Sequence, residues 1–442
     1  MENNCKKNSR IILGDKSKCC GCGSCINICP TNAIIMNNDE FGFNYPIIDE
    51  DKCIGCGLCK KVCAYQSDDK GNLPITVYAA ASKESNSLKK SASGGIFFEI
   101  AKAILKEGGI VVGCSMEAEN KNLHPCHIII NSEKDLIKLQ GSKYVQSDTK
   151  FIFKEIKKNI EIGNKVLFSG TPCQSAALKK YLGNKEYDNL YLIDIICHGV
   201  PSNSMFKDYI SFYNEILCAN IKNFYFRDKS CGWGLRARVV YEKNGKELSK
   251  VVPMQFSSYY ALFLQSEIYR ENCYSCKYAN EYRFSDLTLG DFWGIEEVHP
   301  EYLNSNCGKL DKEKGISCIL VNSDKGMRLI QYIKDSITLY ESEFQKVAKN
   351  NGQLIKPSEK GKNRDKLLKT YSEKGYAGLD DLYYNLLGKK RYIYFVWNLI
   401  PYKIRKLIKR WYYKLFLRKI IVRIYKIKHY YLKLKYLHYI IK

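Results

Sequence analysis

Cys19-Cys20-Gly21-Cys22-Gly23-Ser24-Cys25-Ile26-Asn27-Ile28-Cys29-Pro30 and Cys53-Ile54-Gly55-Cys56-Gly57-Leu58-Cys59-Lys60-Lys61-Val62-Cys63 are the two stretches that decide how this chain is read. Both follow C-x2-C-x2-C-x3-C, in which three thiolates grip three corners of a cubane and the fourth reaches a second cluster. The spacing pairs Cys19, Cys22, Cys25 and Cys63 on one 4Fe-4S cluster, cluster I, and Cys29, Cys53, Cys56 and Cys59 on another, cluster II. Cys20 is left over. Glycines between the ligands let backbone approach inorganic sulfide without a Cβ in the way. Zinc is the competing reading, but a closed zinc site takes four ligands from two pairs, and here there are four plus four.

Working outward, residues 33–36 and 41–48 read as strands between the cysteine runs, so the first 70 residues form an internally duplicated, two-cluster ferredoxin-like domain. Met1-Glu2-Asn3-Asn4-Cys5-Lys6-Lys7 has no apolar h-region, which predicts a reducing cytoplasmic setting in which thiolates survive. Ser67-Asp68-Asp69-Lys70-Gly71-Asn72 is polar and marks the boundary with a larger body.

The 442 residues leave ample length for that body. Net charge is +24, but no acidic residue follows Asp381, so the excess belongs largely to the tail and gives no reason to read the whole chain as a nucleic-acid binder. From Ile75 onward, apolar strands alternate with amphipathic helices: strands at 77–80, 110–113, 166–169 and 190–196, helices at 95–106 and 172–181. That alternation predicts an α/β body with mostly parallel strands, making the whole chain α+β in class. Beyond Lys222 the pattern turns antiparallel, with strands at 223–226 and 235–241 and a turn at Asn244-Gly245.

Three motifs in the body carry chemistry. Ser91-Ala92-Ser93-Gly94-Gly95 precedes a helix, a place for a flavin pyrophosphate or for a plain glycine-rich cap. Gly170-Thr171-Pro172-Cys173-Gln174 puts Thr171 at the N-cap and Cys173 in the first helical turn, suited to a metal ligand or a reactive thiol. The next strand ends in Cys197-His198-Gly199. Parallel strands would bring both cysteines out at one carboxyl edge, where open α/β sheets bind ligands. Cys273-Tyr274-Ser275-Cys276 would complete a third 4Fe-4S cluster, with a redox disulfide or a zinc knuckle as alternatives. Cys5, Cys20, Cys114, Cys126, Cys218, Cys231, Cys307 and Cys318 have no partner at useful spacing and read as buried free thiols. His198 is a candidate catalytic proton carrier, or a hydrogen-bonding group beside a cluster.

Taken together, Ser93-Gly94-Gly95, Gly141-Ser142-Lys143-Tyr144-Val145-Gln146-Ser147, Gly170 to Gln174, Cys197-His198-Gly199, Cys273 to Cys276 and Gly290-Asp291-Phe292-Trp293-Gly294 resemble the coenzyme F-420 hydrogenase/dehydrogenase beta subunit family, in its long form with an N-terminal ferredoxin domain. The resemblance spans roughly residues 15 to 340. It implies FAD, or another flavin, beside a four-iron cluster. It points to Cys173, Cys197, Cys273 and Cys276 as ligands and to Ser93, Gly94, Gly95, Gly141, Ser142, Lys143, Tyr144 and Gln146 as flavin contacts. Residues 71–160 and 161–345 are then the two parts of a flavin and iron–sulfur domain, and 346–442 a linker and basic helical tail. Arg227 and Lys229, in another shared stretch, could face an acidic substrate group or simply a solvated turn.

The function these readings imply is an iron–sulfur flavin-dependent oxidoreductase, with a non-catalytic electron-relay subunit as the alternative. The electron acceptor or donor is a redox partner protein or a small molecule. From Lys389 the tail is basic and aromatic, with no stretch apolar enough to span a bilayer, and it suits peripheral contact with an anionic membrane or an acidic partner, not nucleic acid.

Overall fold

The computed structural model describes residues 15–119, 122–400 and 404. In the head, two short helices, α1 (Ser24–Ile28) and α2 (Leu58–Lys61), each begin after a left-handed glycine, Gly23 at φ 76° and Gly57 at φ 71°. A Cβ is costly in that conformation, so the repeated C-G-x-C spacing makes the same turn twice. Between them, β1 (Ile34–Asn38) and β2 (Asn44–Ile48) pair antiparallel, Ile34 opposite Ile48. The hairpin loop closes on Asp39, whose Oδ1 accepts from the Phe41 and Phe43 N–H groups at 3.1 and 2.8 Å. Ala33 and Ile34 pack with Cys25, Ile26, Cys29, Ile48, Cys53 and Cys59, so the head's small core is half sulfur.

The body is built on one eight-stranded sheet. In chain order its strands are β3 (Thr76–Ser82), β4 (Ile110–Glu119), β5 (Asn122–Ile130), β6 (Val166–Gly170), β7 (Leu190–Ile195), β11 (Leu287–Asp291), β12 (Ser317–Val321) and β13 (Ile337–Ser342). They lie in the order β13-β3-β12-β11-β7-β6-β4-β5. Only β4, β6, β7 and β11 are mutually parallel; β5, β12, β3 and β13 pair antiparallel at the flanks. This corrects the mostly parallel expectation. Its cause is that β4 turns straight into β5 and β12 follows β11 without a crossover helix.

Both faces of the sheet are covered, which is why its central strands read as unbroken apolar runs. Leu167 packs with α3 (Ile96–Lys106), whereas its neighbours Val166 and Phe168 pack with α4 (Ile152–Glu161) and α5 (Pro172–Tyr181) on the opposite face. The burial of Ile96, Ile100 and Ile104 on α3 is the helical stripe expected of a face against a sheet.

A second sheet, β8 (Asn220–Tyr225), β9 (Arg236–Lys243) and β10 (Lys246–Pro253), is antiparallel throughout, with Lys243 opposite Lys246 across the Asn244-Gly245 turn. It packs with α6 (Asn203–Leu217), α7 (Ser258–Leu264) and α8 (Arg364–Leu387) around an aromatic core that includes Phe206, Tyr209, Phe226 and Tyr259. Helix α8 bends at Gly375 and buries Leu367, Leu368, Tyr371, Tyr376 and Leu379. Residues 364–387, expected in a linker and tail, are therefore body core. Of the tail, Lys390–Leu399 is helical; residues 401–403 and everything beyond 404 lie outside the described residues. No helix among the described residues is long and apolar enough to cross a membrane.

Head and body are joined by more than the chain. Thr149 Oγ1 donates to Cys22 O at 2.9 Å, Asn27 Nδ2 to Lys150 O at 2.7 Å, and Lys277 Nζ to Ala64 O at 2.8 Å. Asn72, at the expected boundary, exchanges both backbone hydrogen bonds with Arg283. Arg283 is itself buried, donating to Asp194 Oδ1 at 2.8 Å from one end and to the Tyr278 carbonyl at 3.3 Å from the other. It thus ties the Cys276 loop to β7. Removing one partner leaves the other charge buried and uncompensated. Asp194→Asn is expected to cost about 3–5 kcal/mol in urea unfolding, with much of the loss recovered when Arg283→Met is added. A loss under about 1 kcal/mol in the single variant would count against this role.

A cysteine-lined cavity at the carboxyl edge of the sheet

The parallel strands β6, β7 and β11 end at Gly170, Ile195 and Asp291, side by side on one edge. Above them lies a cavity of about 630 Å³, within the range of about 300–1,000 Å³ usual for small-molecule sites. Its floor includes Ile195, which is 43 % exposed although it stands at the centre of the sheet. An apolar floor of this kind suits a flat ring system.

One end of the cavity is lined by Cys173, Cys197, Cys273 and Cys276, brought from three loops as the strand order implied. Thr171 caps α5, its N–H donating to Gln174 Oε1 at 2.9 Å, and its hydroxyl lies 3.1 Å from Cys173 Sγ. The four sulfurs act on one another through charge. Burial first, then the charges of Cys273, Cys173 and Cys276, hold the Cys197 thiol well above its ordinary value. Burial and the Cys276 charge push Cys273 up to about 12; burial and the Cys173 charge push Cys276 up to about 11. Thiolates so crowded in an enclosed site need a cation among them, and four sulfurs with no oxygen or nitrogen donor fit a four-iron cluster. Among the described residues, no three Cys, His, Asp or Glu side chains gather tightly enough to hold a single metal ion. The Tyr278 hydroxyl is buried without a partner, where the charges of Cys20, Cys173, Cys22 and Cys276 act on it. A cluster there would give it an acceptor.

Cys20 is neither spare nor isolated. It is buried on the cavity wall, where the Cys173 and Cys22 side chains raise its pKa and it lowers theirs. It therefore stands between the cluster I cysteines and the body set. Among the head cysteines, the charges of Cys22, Cys19 and Cys63 all act on Cys25. Of the other cysteines read as buried free thiols, Cys126 and Cys318 are buried, Cys114 and Cys231 are partly buried, and Cys218 and Cys307 are exposed. The last two correct that expectation, since each lies in a turn outside any core. Cys5 lies outside the described residues.

The other end of the cavity is lined by Ser93, Gly95, Gly141, Ser142, Lys143 and Tyr144 beside the first turn of α3. Gly94 faces the sheet instead: its N–H donates to Ser317 Oγ at 2.9 Å, and a Cβ there would sit 2.4 Å from Ala80 O. The Ser93 hydroxyl is committed to Ile316 O at 2.9 Å. Lys143 donates to Lys138 O and Gln140 O, and burial pulls its pKa down to about 8. Gln146 reaches the head, donating to Cys20 O and Gly21 O at 3.2 and 3.3 Å.

His198 lines the cavity; burial lowers its pKa and the Asp291 charge opposes this. Arg227 pairs with Asp291 at 2.6 Å and donates to the Tyr144 hydroxyl at 3.1 Å, its guanidinium about equally close to Trp233 and Trp293. Lys229 donates to the carbonyls of Leu88, Ser93 and Lys314. Both cations are thus tied into the wall and not held free in a solvated turn. Sequence reading assigned no role to His127, Arg270 or Tyr278, and Trp293 entered only as part of the Gly290 to Gly294 motif. Only the proximity of Arg270 and Tyr278 to Cys273 and Cys276 could have pointed to them.

Residues 18–67 match the 4Fe-4S dicluster domain. With the fold and cavity above, this defines an iron–sulfur electron-transfer protein of the oxidoreductase class. Residues 77–152 and 163–347 match the N- and C-terminal parts of the coenzyme F420 hydrogenase/dehydrogenase beta subunit, and the chain belongs to that family. No curated protein matches the chain. Among solved structures it is similar to a chain of the xenon-derivatised F420-reducing NiFe hydrogenase complex from Methanosarcina barkeri, at 16% identity over 72% of this chain and 93% of that one, with a TM-score of 0.40.

Beneath the cavity runs a neutral relay: Gln174 Nε2 donates to Ser147 Oγ, the Ser147 hydroxyl to His127 Nδ1, and His127 Nε2–H to Ser169 O. Burial lowers the His127 pKa from 6.5 to about 4. On acidification the unfolded chain therefore takes the proton first. Stability from neutral His127 is intact above pH 6.5 and is lost as pH falls towards 4, by about 3 kcal/mol at most. Urea unfolding of His127→Gln should show a flatter decline between pH 7 and pH 5 than the parent chain; parallel curves would sink the assignment.

Proposed function

We propose that the chain is an iron–sulfur flavoprotein that passes electrons between the two ferredoxin-type clusters of the head and FAD in the body cavity, and onward to an external substrate or partner. The observation that carries this reading is the cavity itself. One wall holds Cys173, Cys197, Cys273 and Cys276, and the other a helix N-terminus with Lys143 beside it. The first set would hold a third 4Fe-4S cluster; the second offers free N–H groups and positive charge to a pyrophosphate. When bound, a flavin supplies the exchange between two-electron chemistry and the one-electron steps of clusters.

The residues on the wall do the rest. Ile195 and the glycines at the strand ends leave room for a ring over the sheet edge. Tyr144, stacked on Phe263 at 4.4 Å and bonded to Arg227, fixes the segment that carries Lys143. Cys20, which interacts with both Cys22 and Cys173, would bridge cluster I and the body set. His198 is placed to hold or pass a proton at the cavity wall.

Anaerobic purification with iron, sulfide and flavin assay on one sample tests the reading. About twelve irons and one flavin are expected, falling to about eight irons in Cys173→Ala, Cys197→Ala. About eight in both would refute the body cluster, and absence of flavin would favour an electron-relay subunit.

Lys143 gives a second test. Its low pKa in the free protein means that binding an anionic pyrophosphate raises it and takes up protons. FAD affinity should be level below pH 8 and fall above it, by no more than tenfold per pH unit, and Lys143→Met should abolish the slope. Titration of the flavin-depleted protein by fluorescence reads this directly; a pH-independent affinity in the parent chain would remove Lys143 from the site.

A further inference from the structure

Among the described residues four arginines are buried, and three have a carboxylate: Arg227 pairs with Asp291, Arg283 with Asp194, and Arg364 with Glu271. The fourth, Arg270, is 0 % exposed, and among the described residues its side chain pairs with no carboxylate. Its Nε donates to Cys19 O at 2.8 Å, one terminal nitrogen to Gln146 Oε1 at 3.2 Å, and the other to Cys19 Sγ at 3.6 Å. The Tyr45 ring covers its guanidinium at 4.0 Å. The charges that act on it most are those of Cys19, Tyr45, Cys20 and Cys273. A buried cation must meet an anion or cost several kcal/mol, and what surrounds this one is sulfur.

Its backbone sits elsewhere. The Arg270 N–H donates to Val200 O at 2.9 Å, three residues beyond Cys197, and its carbonyl accepts from the Cys273 N–H at 3.0 Å. Arg270 therefore grows from the body's cysteine loop and ends on a cluster I cysteine of the head. A four-iron centre with four thiolates is negatively charged in both oxidation states, and becomes more so on reduction. A fixed cation favours the reduced form and raises the potential.

We propose that Arg270 is the counter-cation of cluster I, supplied by the body, and that it sets the potential of that cluster while locking the head against the cysteine-lined cavity. It is a positioning and tuning residue, acting through Cys19. Cluster I gains one electron on reduction and gives it up on reoxidation, exchanged with a neighbouring centre or, in titration, with the chemical reductant; no bond is made or broken. The inference rests on Cys19, Cys22, Cys25 and Cys63 sharing a cluster, and not on the body cluster or the flavin.

The test is a redox titration followed by electron paramagnetic resonance on the full chain purified anaerobically. Cys25→Ser identifies the cluster I signal by altering it. In Arg270→Gln, at the poise that half-reduces cluster I in the parent chain, the ratio of reduced to oxidised cluster should fall about tenfold, about 59 mV for one electron. Cluster II should stay in place, and Arg270→Lys, which keeps the charge, should restore most of the shift. An unmoved cluster I in Arg270→Gln, or equal shifts in Gln and Lys variants, would overturn the proposal. If Arg270→Gln fails to load cluster I, iron content decides: retention of the head irons in Arg270→Lys supports the counter-cation, and loss in both overturns it. A sample without flavin or body cluster would count against the proposed function while leaving this readout intact.

Discussion

The ion pair between Arg283 and Asp194 holds the rest of the arrangement in register. Asp194 lies on β7, one strand residue before the floor of the cavity, and Arg283 follows the Cys276 loop and enters β11. Both side chains are almost wholly enclosed, so their attraction acts in a medium far less polarisable than water, and the remaining guanidinium N–H groups reach Thr288 Oγ1, Tyr278 O and Ile195 O. One residue thus fixes three things at once: its side chain holds the strand that presents Cys197 and the loop that presents Cys276, and its backbone, through Asn72, holds the segment that carries the head.

On that frame the cavity gathers chemistry that would be incompatible in solution. Three of its thiols, Cys197, Cys273 and Cys276, are pushed towards high pKa by burial and by neighbouring sulfur, whereas Lys143 is pushed the other way. On the proposed function, iron would relieve the first shift and an anion the second, and both sets of residues line one space.

The head is bound to this frame through hydrogen bonds and through apolar packing of Ala64 and Tyr65 on the body. Its own core is small and partly sulfur, so it leans on the body. Arg270, Gln146 and Thr149 all reach from body elements to the backbone around Cys19 to Cys22. A domain that evolved as a diffusible electron carrier could manage with a solvated surface; here the cluster I side is covered, and the cluster II side, with Cys56 and Ile54 exposed, faces outward.

The two cysteine runs determined the head from sequence because ligand spacing is local chemistry: three of a cubane's four thiolates are written in about seven residues of chain. The strand-to-helix steps at Gly170-Thr171-Pro172 and Ile196-Cys197 were equally legible, since N-cap and proline positions are local rules, and they placed both cysteines at one edge. Sequence could not show that β4 and β12 turn back antiparallel, that residues 364–387 belong to the aromatic core, or that Cys20 has two sulfur neighbours. Each depends on packing between segments more than a hundred residues apart or on a turn that no local propensity dictates. Arg270 is the sharpest case. In sequence it is one basic residue among 70 Lys and Arg, and only its enclosure between two cysteine loops, with sulfur in place of a carboxylate, gives it a role.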